Sequence, residues 1–231
     1  MTLDLHRCAL EVAPDLLGAL VVVRGPEGEV AVRLTEVEAY EGARDPGSHA
    51  YRGPTPRTAP MFAPAGRLYV YFTYGMHWCA NVVCGPDGTA SAVLLRAGEV
   101  VTGLELARSR RPAARRDVDL GRGPARLAQA LGLTGADSDL VLRRGGRAEV
   151  RPPVAAPAEI RTGPRVGVAG PGGDPGEFPW RFWIPGEPTV STYRPGKARA
   201  PRVPGTPGAP RTPGAPRTPD VPGTPARHTG T

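Results

Sequence analysis

Short apolar runs broken by Gly and Pro turns dominate the chain. After a short helical or turn segment at 7–17, apolar positions run over 19–24, break at Gly25-Pro26-Glu27-Gly28 and resume over 30–40, the pattern of a β-hairpin. Two more strand-like runs, 68–72 and 77–83, are joined by the tight connection Thr73-Tyr74-Gly75-Met76, and a third at 90–96 follows the turn Gly85-Pro86-Asp87-Gly88. Helical spacing marks 99–110. Gly123-Pro124 opens a second helix through Leu131, with proline at the first helical position, where its missing N–H costs nothing. Short strands at 140–142, 165–168 and 181–184 complete a body of hairpins with few helices between them, which predicts an antiparallel α+β domain.

Two stretches fall outside this pattern. Residues 41–67 form a long Gly- and Pro-rich loop that also carries Arg, His, Tyr and Met, and a loop of that length in a compact domain is functional or disordered. Its composition favours function. From 201 to 225 a proline stands at every third position with almost no apolar bulk, and Arg211, Arg217 and Asp220 break any strict glycine register, which excludes a collagen helix. The expectation is one folded domain over 1–194 and a disordered, basic, Pro-rich tail over 195–231.

Composition changes this picture little. A chain of 231 residues, 40% hydrophobic and 22% charged, suits a single soluble domain. No apolar run approaches the roughly 20 residues of a membrane helix, and residues 1–11 lack a secretory signal, so a cytoplasmic protein without membrane contact is expected. Cys8, Cys79 and Cys84 are too few and too irregular for a disulfide framework or a zinc site, so no metal is expected. The formal charge is +7, but the tail holds six basic residues against Asp220 alone, leaving only +2 for the body. Charge by itself is a weak pointer to nucleic acid.

Candidate chemistry gathers at four places. Strand alternation in Thr35-Glu36-Val37-Glu38-Ala39-Tyr40 puts Glu36, Glu38 and Tyr40 on one face, either a solvated strand face or two carboxylates and a phenol sharing a site. The 68–83 hairpin is loaded with aromatics, Tyr69, Tyr71, Phe72, Tyr74 and Trp78. Tyr74 stands at the tip, either folding back on its strands or serving as a wedge that replaces a base in the duplex stack. Arg96 ends an apolar strand and must face water or find an anion such as Glu38, whose ionised form it would favour. His49, in Gly47-Ser48-His49-Ala50, is open between a structural loop histidine and a group that meets a ligand. Lysine usage adds a constraint: the only lysine is Lys197, so the body has no side-chain amine for Schiff-base chemistry on a sugar, and a glycosylase built this way would use water.

Taken together, Thr35-Glu36-Val37-Glu38-Ala39-Tyr40, Ser48-His49-Ala50, Thr55-Pro56-Arg57, Met61-Phe62, the run 68–81, Val93-Leu94-Leu95-Arg96-Ala97, Gly123-Pro124-Ala125-Arg126-Leu127, Arg165-Val166-Gly167-Val168 and Arg181-Phe182 resemble the alkyladenine (3-methyladenine) DNA glycosylase family across roughly residues 8–193. The resemblance implies a single domain with a curved antiparallel sheet and peripheral helices, no cofactor, and a monomer acting on double-stranded DNA that contains damaged purines. It implies Glu38 as general base for water with Arg96 beside it, Tyr40, His49, Tyr71 and Asn81 as the base pocket, and Tyr74 with its neighbour Met76 as the intercalating hairpin. Arg52, Arg57, Met61 and Arg126 are expected at the DNA backbone. The implied reaction is release of 3-methyladenine, 7-methylguanine or hypoxanthine by a monofunctional enzyme of base excision repair. The alternative is a non-catalytic damaged-DNA-binding protein, which would need Tyr74 but not Glu38. Thr58 departs from the family pattern, which usually has Asn there.

Overall fold

The computed structural model describes residues 3–197, so the tail expected over 195–231 lies, from 198 onward, outside the described residues. Helix α1 (Ala9–Leu16) turns Ala9, Val12, Ala13 and Leu16, a stripe at helical spacing, into the core. Hairpin β1 (Leu20–Gly25) and β2 (Gly28–Tyr40) follows, then the long loop with two 3-10 turns at Gly42–Arg44 and Ala59–Phe62. The hairpin β3 (Leu68–Thr73) and β4 (His77–Val83), strand β5 (Ala92–Thr102), and helices α2 (Leu104–Arg110) and α3 (Pro124–Leu131) come next. Three short strands, β6 (Ala148–Arg151), β7 (Arg161–Gly163) and β8 (Arg181–Trp183), finish the domain.

Sheet order is β3-β4-β5-β2-β1-β6, and every strand pair is antiparallel. Strand β2 has thirteen residues, enough to divide one edge between two partners: its first half pairs with β1 and its last turn of pleat, Glu36 to Glu38, with β8, to which β7 is added. That division and three register shifts along β2 and β5 curl the sheet. Helices α1, α2 and α3 cover one face, where Val37, Ala39, Val82, Val93, Leu95, Leu127 and Leu131 are buried. Truncating one such leucine, Leu95→Ala, would cost about 2–5 kcal/mol. The other face of β2, β3, β4 and β5 remains for chemistry.

The observed domain is the expected α+β type with a curved antiparallel sheet, but four local expectations change. Residues 99–102 extend β5 instead of starting a helix, because β2 still offers pairing partners from Ala31 to Arg33. The chain turns only at Gly103, whose φ of +71° and approach to the Glu29 carbonyl leave no room for a Cβ. Residues 140–142 make a single bridge, Val141 to Arg67, and no strand. Residues 165–168 form a turn organised around the buried Arg165. Strands β6 and β7, four and three residues long, were too short to leave a period in the sequence.

Candidate active site

Alternation along β2 sends Val37 and Ala39 to the core and Glu36 and Glu38 to the opposite face, yet that face is not solvated: both carboxylates are fully buried. Glu38 Oε1 accepts the Val166 backbone N–H at 2.7 Å, and Oε2 accepts the Tyr40 hydroxyl at 3.0 Å. Arg96 Nε donates to Glu36 at 2.9 Å and lies 3.4 Å from Glu38. The register explains this position. Leu95 pairs with Val37 and Ala97 with Glu36, so Arg96 is the extra residue of a bulge, and a bulge re-aims its side chain. The strand-end arginine is therefore buried between two anions. Burial works against its charge, but Glu38 and then Glu36 outweigh that and raise its pKa.

Above Glu38 opens a cavity of about 530 Å³ whose walls include Tyr40, His49, Tyr71, Asn81 and Arg96, within the size range of small-molecule sites. Tyr69 and Tyr71 share one face of β3 and stack at 5.4 Å. His49 meets Tyr71 edge-on at 4.5 Å, and its Nδ1 lies 3.1 Å from the Tyr69 hydroxyl. Although His49 is exposed to the cavity, the surrounding protein lowers its pKa, with Arg57 adding to the effect, so the ring is neutral at pH 7. Burial, and then the Glu38 carboxylate, raises the Tyr40 hydroxyl well above its usual range, and burial raises those of Tyr69 and Tyr71, so all three stay un-ionised. Asn81, opposite Tyr69 on β4, is buried and donates through Nδ2 to the Tyr69 carbonyl at 3.0 Å. A larger recess of about 900 Å³ lies along β6, but its one carboxylate, Glu149, is tied to Arg151 and Arg24 and no such cluster converges there.

The cavity wall is fastened by Arg165. Its guanidinium is fully buried, pairs with both oxygens of Asp45 at 2.6 Å, donates to the carbonyls of Ala39 and Gly172, and lies 4.5 Å over the Tyr40 ring. The turn bearing Val166 is thereby joined to the loop bearing His49. Thr58 is buried and exchanges hydrogen bonds with Thr55 through both side chains and backbone, so the loop turn closes without the usual Asn.

At the hairpin tip the backbone is strained. Tyr74 has φ +51° and Gly75 φ +68°, a pair of left-handed residues in the three-residue connection between Thr73 and His77, with Met76 N–H on the Thr73 carbonyl. Glycine adopts this freely, whereas an aromatic residue does so only at a cost of about 1–2 kcal/mol. Tyr74 is nevertheless 84% exposed, at the mouth of the cavity. Met76, also exposed, faces a separate recess with Trp78, Arg110 and Arg147. Of the remaining expected residues, Arg126 is exposed beside Arg122 and Arg194 in a recess that also reaches Arg96. Arg57 is exposed, donates to the Phe72 carbonyl and lies 5.6 Å over Tyr71, and Arg52 is exposed outside the cavity. Met61 is buried in the cavity floor with Tyr69, Ala50 and Ala92, so its side chain has no outer surface to offer a DNA backbone.

The model of the family described as methylpurine-DNA glycosylase (MPG) matches residues 4–188, most of the chain and all of the cavity except Arg194. The chain belongs to this family. A relative from Streptomyces avermitilis is 54% identical over 199 residues, covering 85% of this chain and 91% of its own length. One from Leifsonia xyli subsp. xyli is 56% identical over 191 residues (80% and 88%), and one from Frankia casuarinae 52% identical over 207 (85% and 92%). All three carry 3-methyladenine DNA glycosylase as a provisional name. The protein is thus a DNA glycosylase, a hydrolase of N-glycosyl bonds that serves DNA repair. Among the described residues of this glycosylase no helix is long and apolar enough to cross a membrane.

Sequence reasoning missed several parts of the glycosylase cavity. The Val166 amide is a backbone group with no side-chain signal. Tyr69 stood out only as a neighbour of Tyr71. The Arg165 and Asp45 pair spans 120 residues, and nothing local to either residue marks it.

Proposed function

We propose that this glycosylase rotates a damaged purine out of duplex DNA and hydrolyses its bond to deoxyribose with water activated by Glu38. The supporting observation is a fully buried carboxylate at the base of an aromatic cavity, held by the Val166 N–H, the Tyr40 hydroxyl and Arg96. Water attacks C1′ as the N-glycosyl bond breaks. The bonding pair leaves with the base, and the water proton passes to Glu38, which also stabilises the cationic sugar that develops. Arg96 lies near the sugar and its phosphate.

Tyr40 and Tyr71 supply faces for the flipped base. When the Tyr69 hydroxyl donates to His49 Nδ1, Nε2 carries the ring proton and donates to the base edge. Asn81, fixed by Tyr69, crowds the exocyclic amine of normal guanine. Tyr74 fills the gap left in the stack, with Met76 beside it, and Arg52, Arg57 and Arg126 meet the phosphates. A purine alkylated at N3 or N7 is cationic, is drawn to the aromatic faces, and already has a weakened glycosidic bond. 3-Methyladenine, the base in the relatives' names, and 7-methylguanine are therefore the preferred substrates. Neutral hypoxanthine is slower, because no acid in the cavity is placed to protonate it.

The glycosylase acts as a monomer in the cytoplasm through residues 1–194. Residues 195–231 add non-specific attraction to phosphate, so deleting 195–231 weakens duplex affinity at low salt, and unchanged affinity there refutes the contribution. Base release from duplexes carrying alkylated purines tests the central reading. Glu38→Gln should bind but release base about 10²–10⁴-fold more slowly, while the intact protein leaves unbroken abasic strands. If neither protein releases base and both bind lesions, the chain recognises damage without processing it.

A further inference from the structure

Glu36 lies outside the cavity, yet it is among the most heavily bonded side chains near it, matched by Arg165. Its Oε1 accepts from Arg96 Nε at 2.9 Å, Arg181 Nε at 2.6 Å and the Ser191 hydroxyl at 2.9 Å, and its Oε2 accepts the Ser191 N–H at 2.7 Å. Arg181 is itself held by the Ser191 carbonyl at 2.9 Å and by the Trp183 ring at 4.6 Å. Two buried carboxylates, Glu36 and Glu38, thus face two buried guanidiniums, Arg96 and Arg181, and the charges cancel. Removing four charges from water is expensive, and well-packed apolar residues serve stability as well or better. A cluster of this kind at the edge of a reaction cavity calls for a use.

Geometry supplies one. Arg96 is shared unequally, 2.9 Å from Glu36 and 3.4 Å from Glu38. We propose that Glu36 is a positioning residue that, with Arg181 and Ser191, holds Arg96 by Nε beside Glu38 but short of a close ion pair. Glu38 then keeps a lone pair for the water proton while gaining the field of the guanidinium. The inference rests on Glu38 being the base. Without the Glu36 charge, Arg96 closes onto Glu38 and the carboxylate becomes a poor proton acceptor, and the guanidinium leaves the place where it borders both the cavity and the basic recess of Arg122, Arg126 and Arg194.

The test is single-turnover base release beside lesion-duplex affinity and thermal stability, in a double-mutant cycle with Arg96→Lys, which keeps the charge but removes Nε. Glu36→Gln should slow base release roughly 10–100-fold with the dissociation constant for the lesion duplex changed less than about threefold, and its penalty should nearly vanish in the Arg96→Lys background. Ser191→Ala removes a single hydroxyl from Glu36, leaves folding intact, and should show the same pattern at roughly three- to tenfold. Penalties that multiply independently of Arg96, or variants that lose stability and affinity but turn over normally once bound, overturn the proposal. Glu38→Gln separates the two levels: if that variant still releases base, the assignment of the base itself has failed, whereas loss in Glu38→Gln with full activity in Glu36→Gln refutes only the role of Glu36.

Discussion

The floor of the cavity and the tip of the β3 and β4 hairpin break opposite rules. The floor and the layer behind it bury Glu36, Glu38, Arg96, Arg165 and Arg181, residue types that stay in water unless paired, and each has charged or hydrogen-bonded partners. The tip does the reverse, holding Tyr74 and Met76 in solvent and Tyr74 in a backbone conformation that glycine or asparagine would adopt at less cost. At the floor, chemistry and stability draw on the same bonds. At the tip they are separable, because nothing in the fold rests on the exposed ring. Local rules fail most visibly where function is placed, and the two failures differ in what a mutation there should damage.

The largest expected effect is on stability at the floor. Arg165→Ala leaves Asp45 buried without its partner and frees the turn that carries Val166, so unfolding in urea should show a loss of about 3–5 kcal/mol, with base release falling as well. A loss under about 1 kcal/mol would mean that the floor, like the tip, can be altered without cost to the fold.

Next comes function at the tip. Tyr74→Ala should lower base release from a fully paired duplex roughly five- to hundredfold, the worth of one aromatic stacking contact, with folding stability unchanged within about 0.5 kcal/mol. The deficit should shrink for a lesion opposite a gap, where the base is already free to rotate. An equal deficit on both substrates would remove the wedge role. The complementary variant, Tyr74→Asn, relieves the left-handed strain and should raise stability by about 1 kcal/mol while losing the same activity. Stability that stays flat or falls would show that the ring packs on the hairpin after all.

The two regions also differed in how far the sequence disclosed them. Period-two alternation assigned β2 and the shared face of Glu36, Glu38 and Tyr40, because one side of that strand had to reach the core. It could not say that the other side is buried too, since the cover comes from Arg96, Val166 and Ser191, each far along the chain and one placed by a bulge. The tip was legible because a tyrosine beside a glycine in a four-residue connection is odd on local grounds. Residues 99–102 were misassigned because Val100 and Val101 sit at helical spacing from Leu104, and only the length of β2 decides for a strand. The apolar look of Val166-Gly167-Val168 hid a turn built around Arg165.

The smallest effect concerns His49, which belongs to neither region and stands on the cavity wall, carried by the loop that Asp45 anchors. Its folded pKa is lowered, first by the protein around it and then by Arg57, while in the unfolded chain it titrates near 6.5, its ordinary value. Above that pH both states are neutral and the group is silent. As pH falls through about 6.5 the unfolded chain takes up the proton first, so stability declines from there down to the folded pKa. The ring is exposed to the cavity, and solvent screening should hold this to a few tenths of a kcal/mol. Comparing the intact protein with His49→Gln between about pH 7.5 and 5.5 isolates it, since the other histidines are common to both and cancel. Binding should feel the same proton more strongly, because an imidazolium both repels a cationic base and loses its acceptor at Tyr69. Affinity for a 7-methylguanine duplex should therefore fall with pH in the intact protein and not in the variant, and parallel pH curves for the two would show that His49 does not face the base.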